Sequence, residues 1–178
     1  MARVDVLIIG GGAIGLGAAY YLTRSGRKVT VLDRAAIGQG SSSGNAGHIV
    51  PSHIVPLAAP GVMATALRWL LDPPNSPLGL KASLSPSYLG WLLRFGAACT
   101  EANVTRAIPP FKALGLLSAK NFAELISAEG FDCAYQAAGL LYLYKTESAF
   151  EAGRHEAELL RRHGMAADVL DRDAVHRT

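Results

Sequence analysis

The sequence predicts an α/β fold opened by a β-α-β unit. Three observations carry this: an apolar run that ends in glycines, a helix-length stretch closed by glycine, and a second apolar run that ends in an acid. The run VLII from Val6, followed by Gly10, reads as a fully buried strand. Gly10, Gly12 and Gly15 then stand in a GxGxxG frame, and each has a physical reason. Gly10 permits a tight turn, Gly12 lets backbone approach a ligand closely, and Gly15 lets the helix that begins near Ala13 lie close on the strand.

A bare GxGxxG is weak evidence in a chain with 19 glycines, because one can arise by chance. Further positions agree with it here. Ala19 is small where the helix must lie on the sheet, Gly26 stops the helix, and KVTVLD reads as a second strand. Asp33 closes that strand roughly 20 residues beyond the turn, where an acid accepts hydrogen bonds from a ribose diol and repels a 2′-phosphate. The opening helix amides, at Ala13 and Ile14, point with the positive end of the helix dipole toward where a pyrophosphate would lie. The pattern as a whole predicts an adenine dinucleotide site, against the plainer alternative of a glycine-rich core helix without a ligand.

Composition narrows the rest. With 178 residues, half of them hydrophobic, the chain can build a domain core. Its net charge of +3 is mild, and the basic residues are scattered rather than striped, so no nucleic-acid partner is expected. Cys99 and Cys133 lie far apart without metal-ligand spacing, so reduced thiols and no metal are expected. No secretory pattern opens the chain, which predicts a cytoplasmic location. Prolines and Arg68 interrupt the apolar stretch from Ile49 to Leu71, which excludes a span of roughly 18 residues. The piece VMATALRWLL, with Trp69, suits either a helix packed on its own protein or one lying peripherally on the inner face of a membrane.

Beyond Asp33 the loop Arg34 to Gly47 has the small, polar core GQGSSSGNAG, which reads as a backbone-rich ligand cradle rather than a linker. Residues 51–86 carry most of the prolines, so regular structure there must be short. Helical periodicity is expected over Tyr88–Ala98 and over Phe111–Glu129, with Gly130 as a stop. GLLYLYK (Gly139–Lys145) reads as a strand, Glu147–His163 as a helix ended by Gly164, and Ala167–Leu170 as a short strand. Asp171 caps a final helix. The expected division is 1–86 as the dinucleotide-binding portion and 87–178 as a partial substrate domain.

The opening VDVLIIGGGAIGLGAAYYLTRSGRKVTVLDR, then SSSGNAG, PLAAPGV, DPPNSPL and WLLRF, resembles flavoprotein oxidoreductases of the D-amino acid oxidase superfamily. Within it, the narrower motifs resemble the bacterial D-amino acid dehydrogenases. The resemblance implies a Rossmann-like FAD-binding unit followed by helices and part of an α+β substrate domain. It implies FAD, with Gly10, Gly12, Ala13, Ile14 and Gly15 at the pyrophosphate, and Asp33 and Arg34 at the adenosine. Ser42, Ser43, Asn45, Ala46, Gly47 and His48 would run along the pyrophosphate and flavin ring. Some relatives attach flavin through a histidine just before the small-residue turn. Gly44 holds that position here and His48 follows the turn, so noncovalent FAD is expected and His48 is read as a loop residue without a catalytic role. The other histidines read as surface residues.

The implied reaction is hydride transfer from the α-carbon of an amino acid or amine to the flavin, giving an imine that water hydrolyses. Electrons would pass to a quinone or another acceptor at a membrane surface. Members of the family are more than twice as long as this chain, so the catalytic and carboxylate-binding residues are expected outside it. The chain alone is expected to be inactive, weakly stable and a poor FAD binder. Oxidation of glycine, sarcosine or D-hydroxyproline is the alternative within the family. Outside it stand a nicotinamide-dependent dehydrogenase, which SSSGNAG argues against, and a truncated dinucleotide-binding protein without turnover.

Overall fold

Side-chain alternation organises the first sheet in the computed structural model, which describes residues 5–72, 83 and 85–176. Strands β1 (Val6–Ile9) and β2 (Val29–Leu32) pair in parallel with Val6 opposite Val29 and Ile9 opposite Leu32. Helix α1 (Ala13–Arg24) connects them. Val6, Ile8, Val29 and Val31 are half-buried, whereas Leu7, Ile9, Thr30 and Leu32 on the opposite face are exposed, Ile9 at 82%. A pleated strand sends neighbours to opposite faces, so one helix covers only one of them. Gly15 shows which face it is: a Cβ there would lie 3.3 Å from Ile8 Cγ2.

Glycine ends α1 as expected. Gly26 takes φ +83°, its N–H donates to the Thr23 carbonyl, and the Arg27 N–H donates to the Leu22 carbonyl. That pair of bonds is the Schellman arrangement, which needs a left-handed residue just past the helix.

The chain divides into two units between His48 and Ile49. The second contains α2 (Val62–Leu71), α3 (Pro86–Ala98), α4 (Glu101–Glu129), α5 (Glu147–Arg162) and α6 (Arg172–Val175). Ile54, Val104 and Ile108 form its buried cluster, with Ala59, Leu159, Leu160 and Met165 against them. Each fully buried side chain of this kind contributes roughly 1.5–3 kcal/mol, so the core is small for its length of chain. The described helices begin and end on chemistry the sequence displays. Thr146 accepts from the Ala149 N–H and Asp171 from the Ala174 N–H, while Gly130 and Gly164 close α4 and α5 at positive φ.

Three expectations differ from the structure. Helix α4 starts ten residues before Phe111, because the Thr100 hydroxyl accepts from the Asn103 N–H and caps it there. Pro109 and Pro110 lie inside it, each removing an interior hydrogen bond that the other turns of a long helix outweigh. The strand expected over Gly139–Lys145 does not form, nor does the one at Ala167–Leu170. Both segments lack a ladder partner among the described residues, and a lone apolar run has nothing to pair its backbone with. The second unit is therefore helical where α+β was expected. The proline run Pro73–Pro77 lies outside the described residues.

Candidate functional site

Gly10 leaves β1 at φ +107°, and its N–H donates to the Leu32 carbonyl at 2.8 Å, which ties the turn to the end of β2. The chain turns there because a side chain would be strained at that φ. A Cβ on Gly15 would run into the Gly10 carbonyl oxygen, so the helix reaches its place only without one. At Gly12, by contrast, a Cβ would meet nothing but the Ser42 hydroxyl, 3.0 Å away. Helix α1 thus opens onto space bordered by main chain and by the small Ser42 hydroxyl.

Asp33 sits at the mouth of this turn. Its Oδ2 accepts from the Gly11 N–H at 2.7 Å and its Oδ1 from the Ala35 N–H at 3.0 Å. The bond from Gly11, then that from Ala35, holds the carboxyl below its ordinary value of 3.8, with Arg34 adding to the effect against partial desolvation. Asp33, Arg34, Ile9, Gly10 and Leu32 line an open depression of about 530 Å³ at the carboxyl ends of both strands. That is where ligands bind in sheets of this kind, and the volume suits a nucleoside.

The small-residue loop folds back on the turn. Ser42 Oγ accepts from the Ala13 N–H at 2.9 Å, supplying the cap that Gly12 lacks. The Asn45 side chain donates to the Ser42 carbonyl and accepts from the Gly47 N–H, both at 2.6 Å, and Gly47 takes φ +69°. Ser43 Oγ donates to the Gly40 carbonyl. The structure therefore brings Gly10, Gly12, Ala13, Gly15, Asp33, Arg34 and Ser42 together, with Asn45 and Gly47 shaping the loop behind them. Ile14, Ala46 and His48 are exposed, and the Ser43 hydroxyl bonds only within its own loop, to Gly40. Among the described residues no group of three or more metal-ligating side chains occurs.

Sequence reasoning missed three residues of this site. The Gly38 N–H donates to the Gly11 carbonyl at 2.9 Å, and the Ile37 side chain fills the place of a Cβ on Gly11. The available signal was that Ile37 is the lone large apolar residue between Arg34 and Gly47. In the second unit, His53 is exposed, as expected of a surface residue, and has a partner that its sequence spacing does not reveal. Its Nε2 lies 2.8 Å from the Tyr142 hydroxyl, whose pKa is raised by burial, then by Glu156 and Tyr144.

With this geometry the chain is similar to a family of FAD-binding proteins. Residues 5–178 match the family described as FAD dependent oxidoreductase, DAO. The chain belongs to that family, which uses FAD. It is 36% identical over 167 residues to a D-amino acid dehydrogenase of Methylobacterium nodulans, covering 93% of this chain and 39% of that protein. It is also 36% identical over 169 residues to one of Methylobacterium radiotolerans, with 94% and 40% covered. Against D-amino acid dehydrogenase 1 of Mesorhizobium japonicum the identity is 31% over 175 residues, with 96% and 41% covered. The chain thus spans about two-fifths of the length of these curated relatives. No solved structure gives a significant match. An oxidoreductase that uses FAD fits what the turn offers: a space at Gly12 that a Cβ would fill, and a carboxylate beside it.

Proposed function

We propose that this chain carries the FAD-binding portion, residues 1–86, and part of the substrate portion, residues 87–178, of an enzyme that oxidatively deaminates D-amino acids. The observation that supports it most is Asp33 at the mouth of a glycine turn whose helix opens without side chains of its own. Gly10, Gly12, Ala13, Ile14 and Gly15 form the turn that faces the diphosphate, with the Gly10 and Ala13 amides tied to Leu32 and Ser42, and Asp33 keeps lone pairs for the ribose diol while its backbone bonds fix its direction. Arg34 borders the adenosine. Ser42, Ser43, Asn45, Ala46, Gly47 and His48 run toward the flavin ring, which is held noncovalently. When bound, FAD supplies the acceptor for a hydride from the α-carbon; the protein supplies orientation and exclusion of competing chemistry. The relatives' printed names support a D-amino acid over glycine, sarcosine or D-hydroxyproline.

Adding FAD to the isotope-labelled, FAD-stripped intact gene product should shift the amide resonances of Gly10 to Ile14 and of Asp33 to His48. An unchanged spectrum there overturns the site assignment. For the substrate, dye reduction by the intact gene product should proceed with D-alanine and not with L-alanine, and the opposite preference overturns that half.

Electrons then pass to a quinone at a membrane surface. Supporting this, α2 turns Leu67, Arg68 and Leu71 outward, Leu71 at 77% exposure, and contains no acid. Among the described residues no helix is long and apolar enough to cross a membrane. Co-sedimentation with anionic vesicles should fall when Leu67 and Leu71 are both changed to Ser, and undiminished binding removes α2 from this role.

A further inference from the structure

Gly11, the middle glycine of the GGG run, lies outside the three-glycine logic of the turn, and it is not among the glycines at positive φ. Its backbone conformation therefore leaves room for alanine. What surrounds it differs from what surrounds its neighbours. The N–H donates to Asp33 Oδ2 at 2.7 Å, the carbonyl accepts from the Gly38 N–H at 2.9 Å, and Ile37 Cδ1 lies where a Cβ would be. Both polar groups and the bare Cα are thus engaged by one short segment, Asp33 to Gly38, from outside the turn. Gly38 takes φ +78°, the reversal that brings its N–H back to Gly11.

We propose that Asp33, Ile37 and Gly38 form a clasp that fixes both peptide planes of Gly11, so that the anion-binding turn is set before any ligand arrives. Ile37 is the positioning residue, because its side chain excludes water from two otherwise open hydrogen bonds. Asp33 then has two tasks, one oxygen for the turn and its remaining lone pairs for a sugar. Because the clasp acts on the main chain facing the diphosphate, and only through one oxygen on the Asp33 carboxylate, loosening it weakens ligands that carry a diphosphate more than those that carry only the nucleoside. This split rests on the proposed reading of the turn as a diphosphate site.

The clasp itself is tested without ligand, by amide hydrogen exchange of Gly11, Gly12 and Gly38 in the full 178-residue chain. Ile37→Ala should speed exchange at all three, and Ile37→Val should restore protection. Gly11→Ala should do the same by pushing Ile37 aside, and combining it with Ile37→Ala should add little, since the two changes break one contact. With millimolar ADP and adenosine as probes, Ile37→Ala should weaken ADP about three- to tenfold and adenosine clearly less. Unaltered exchange in Ile37→Ala, or fully additive effects in the double variant, overturns the clasp. Equal losses for ADP and adenosine overturn its action on the turn. If the parent chain binds neither nucleotide while the exchange results hold, the clasp stands and the diphosphate reading falls.

Discussion

Around Gly11 three contacts converge from a single loop, whereas the second unit, from Ile49 onward, buries only Ile54, Val104, Ile108 and Ala157 among the hydrophobic side chains of its described residues. The first region is held by directional bonds from one short segment, Asp33 to Gly38, back to a single glycine of the turn. The second depends on apolar faces that need something to lie against, and much of that apolar surface stays open: Trp91, Leu93, Leu114 and Leu143 are all exposed. Directional polar contacts can therefore fix a glycine turn in a chain whose described helices carry little core. A directional bond is complete when its two groups meet; hydrophobic stabilisation grows only with the area covered.

This contrast can be broken first at the helical core. Ile108→Ala should cost about 2–5 kcal/mol, the largest effect expected. In urea unfolding followed by residue-resolved NMR it should remove the α4 and α5 signals at lower denaturant while Gly10 to Ile14 keep their shifts. Loss of both sets together would show that the turn draws its order from the core.

Next is Gly15→Ala, where the added carbon meets the Gly10 carbonyl rather than a movable side chain. A cost of about 1–3 kcal/mol is expected, confined to the first unit and visible as loss of the β1 and α1 amide pattern. Thr100→Ala should be smaller, about 1 kcal/mol, read as fraying of the first turn of α4. Were α4 then to begin near Phe111, the prolines rather than the cap would govern its start.

The smallest effect is with pH. The lowered pKa of Asp33 means that the folded turn favours the ionised carboxylate, so its contribution is complete above the ordinary value of 3.8. It is lost as pH falls through the lower, folded value. The Gly11 amide shift should therefore stay level from pH 8 to 5 and move only at pH below about 4. Movement between pH 5 and 7 would mean that another group controls the turn.

Much of the first unit was legible because its signals are local. Glycines at Gly10, Gly15 and Gly26 report backbone or helix-to-strand distances within their own β-α-β unit, and Asp33 follows directly on β2. The capping of α5 and α6 by Thr146 and Asp171 was legible for the same reason. The start of α4 was not, because a proline pair in mid-sequence reads as a break while its cost is a tertiary matter. The strand pattern of GLLYLYK states a tendency, and a ladder needs a second backbone that residue types do not specify.

By itself, then, the sequence determined the β-α-β opening, the glycine turn with its acid, and the helix stops at Gly26, Gly130 and Gly164, since each depends on φ preferences, side-chain volume or groups a few residues away. Only the tertiary structure decided that Ile37 and Gly38 hold Gly11, that Ser42 caps a helix 29 residues before it, and that His53 meets Tyr142. Those contacts depend on where a loop returns in space, and no local periodicity encodes the path of a return.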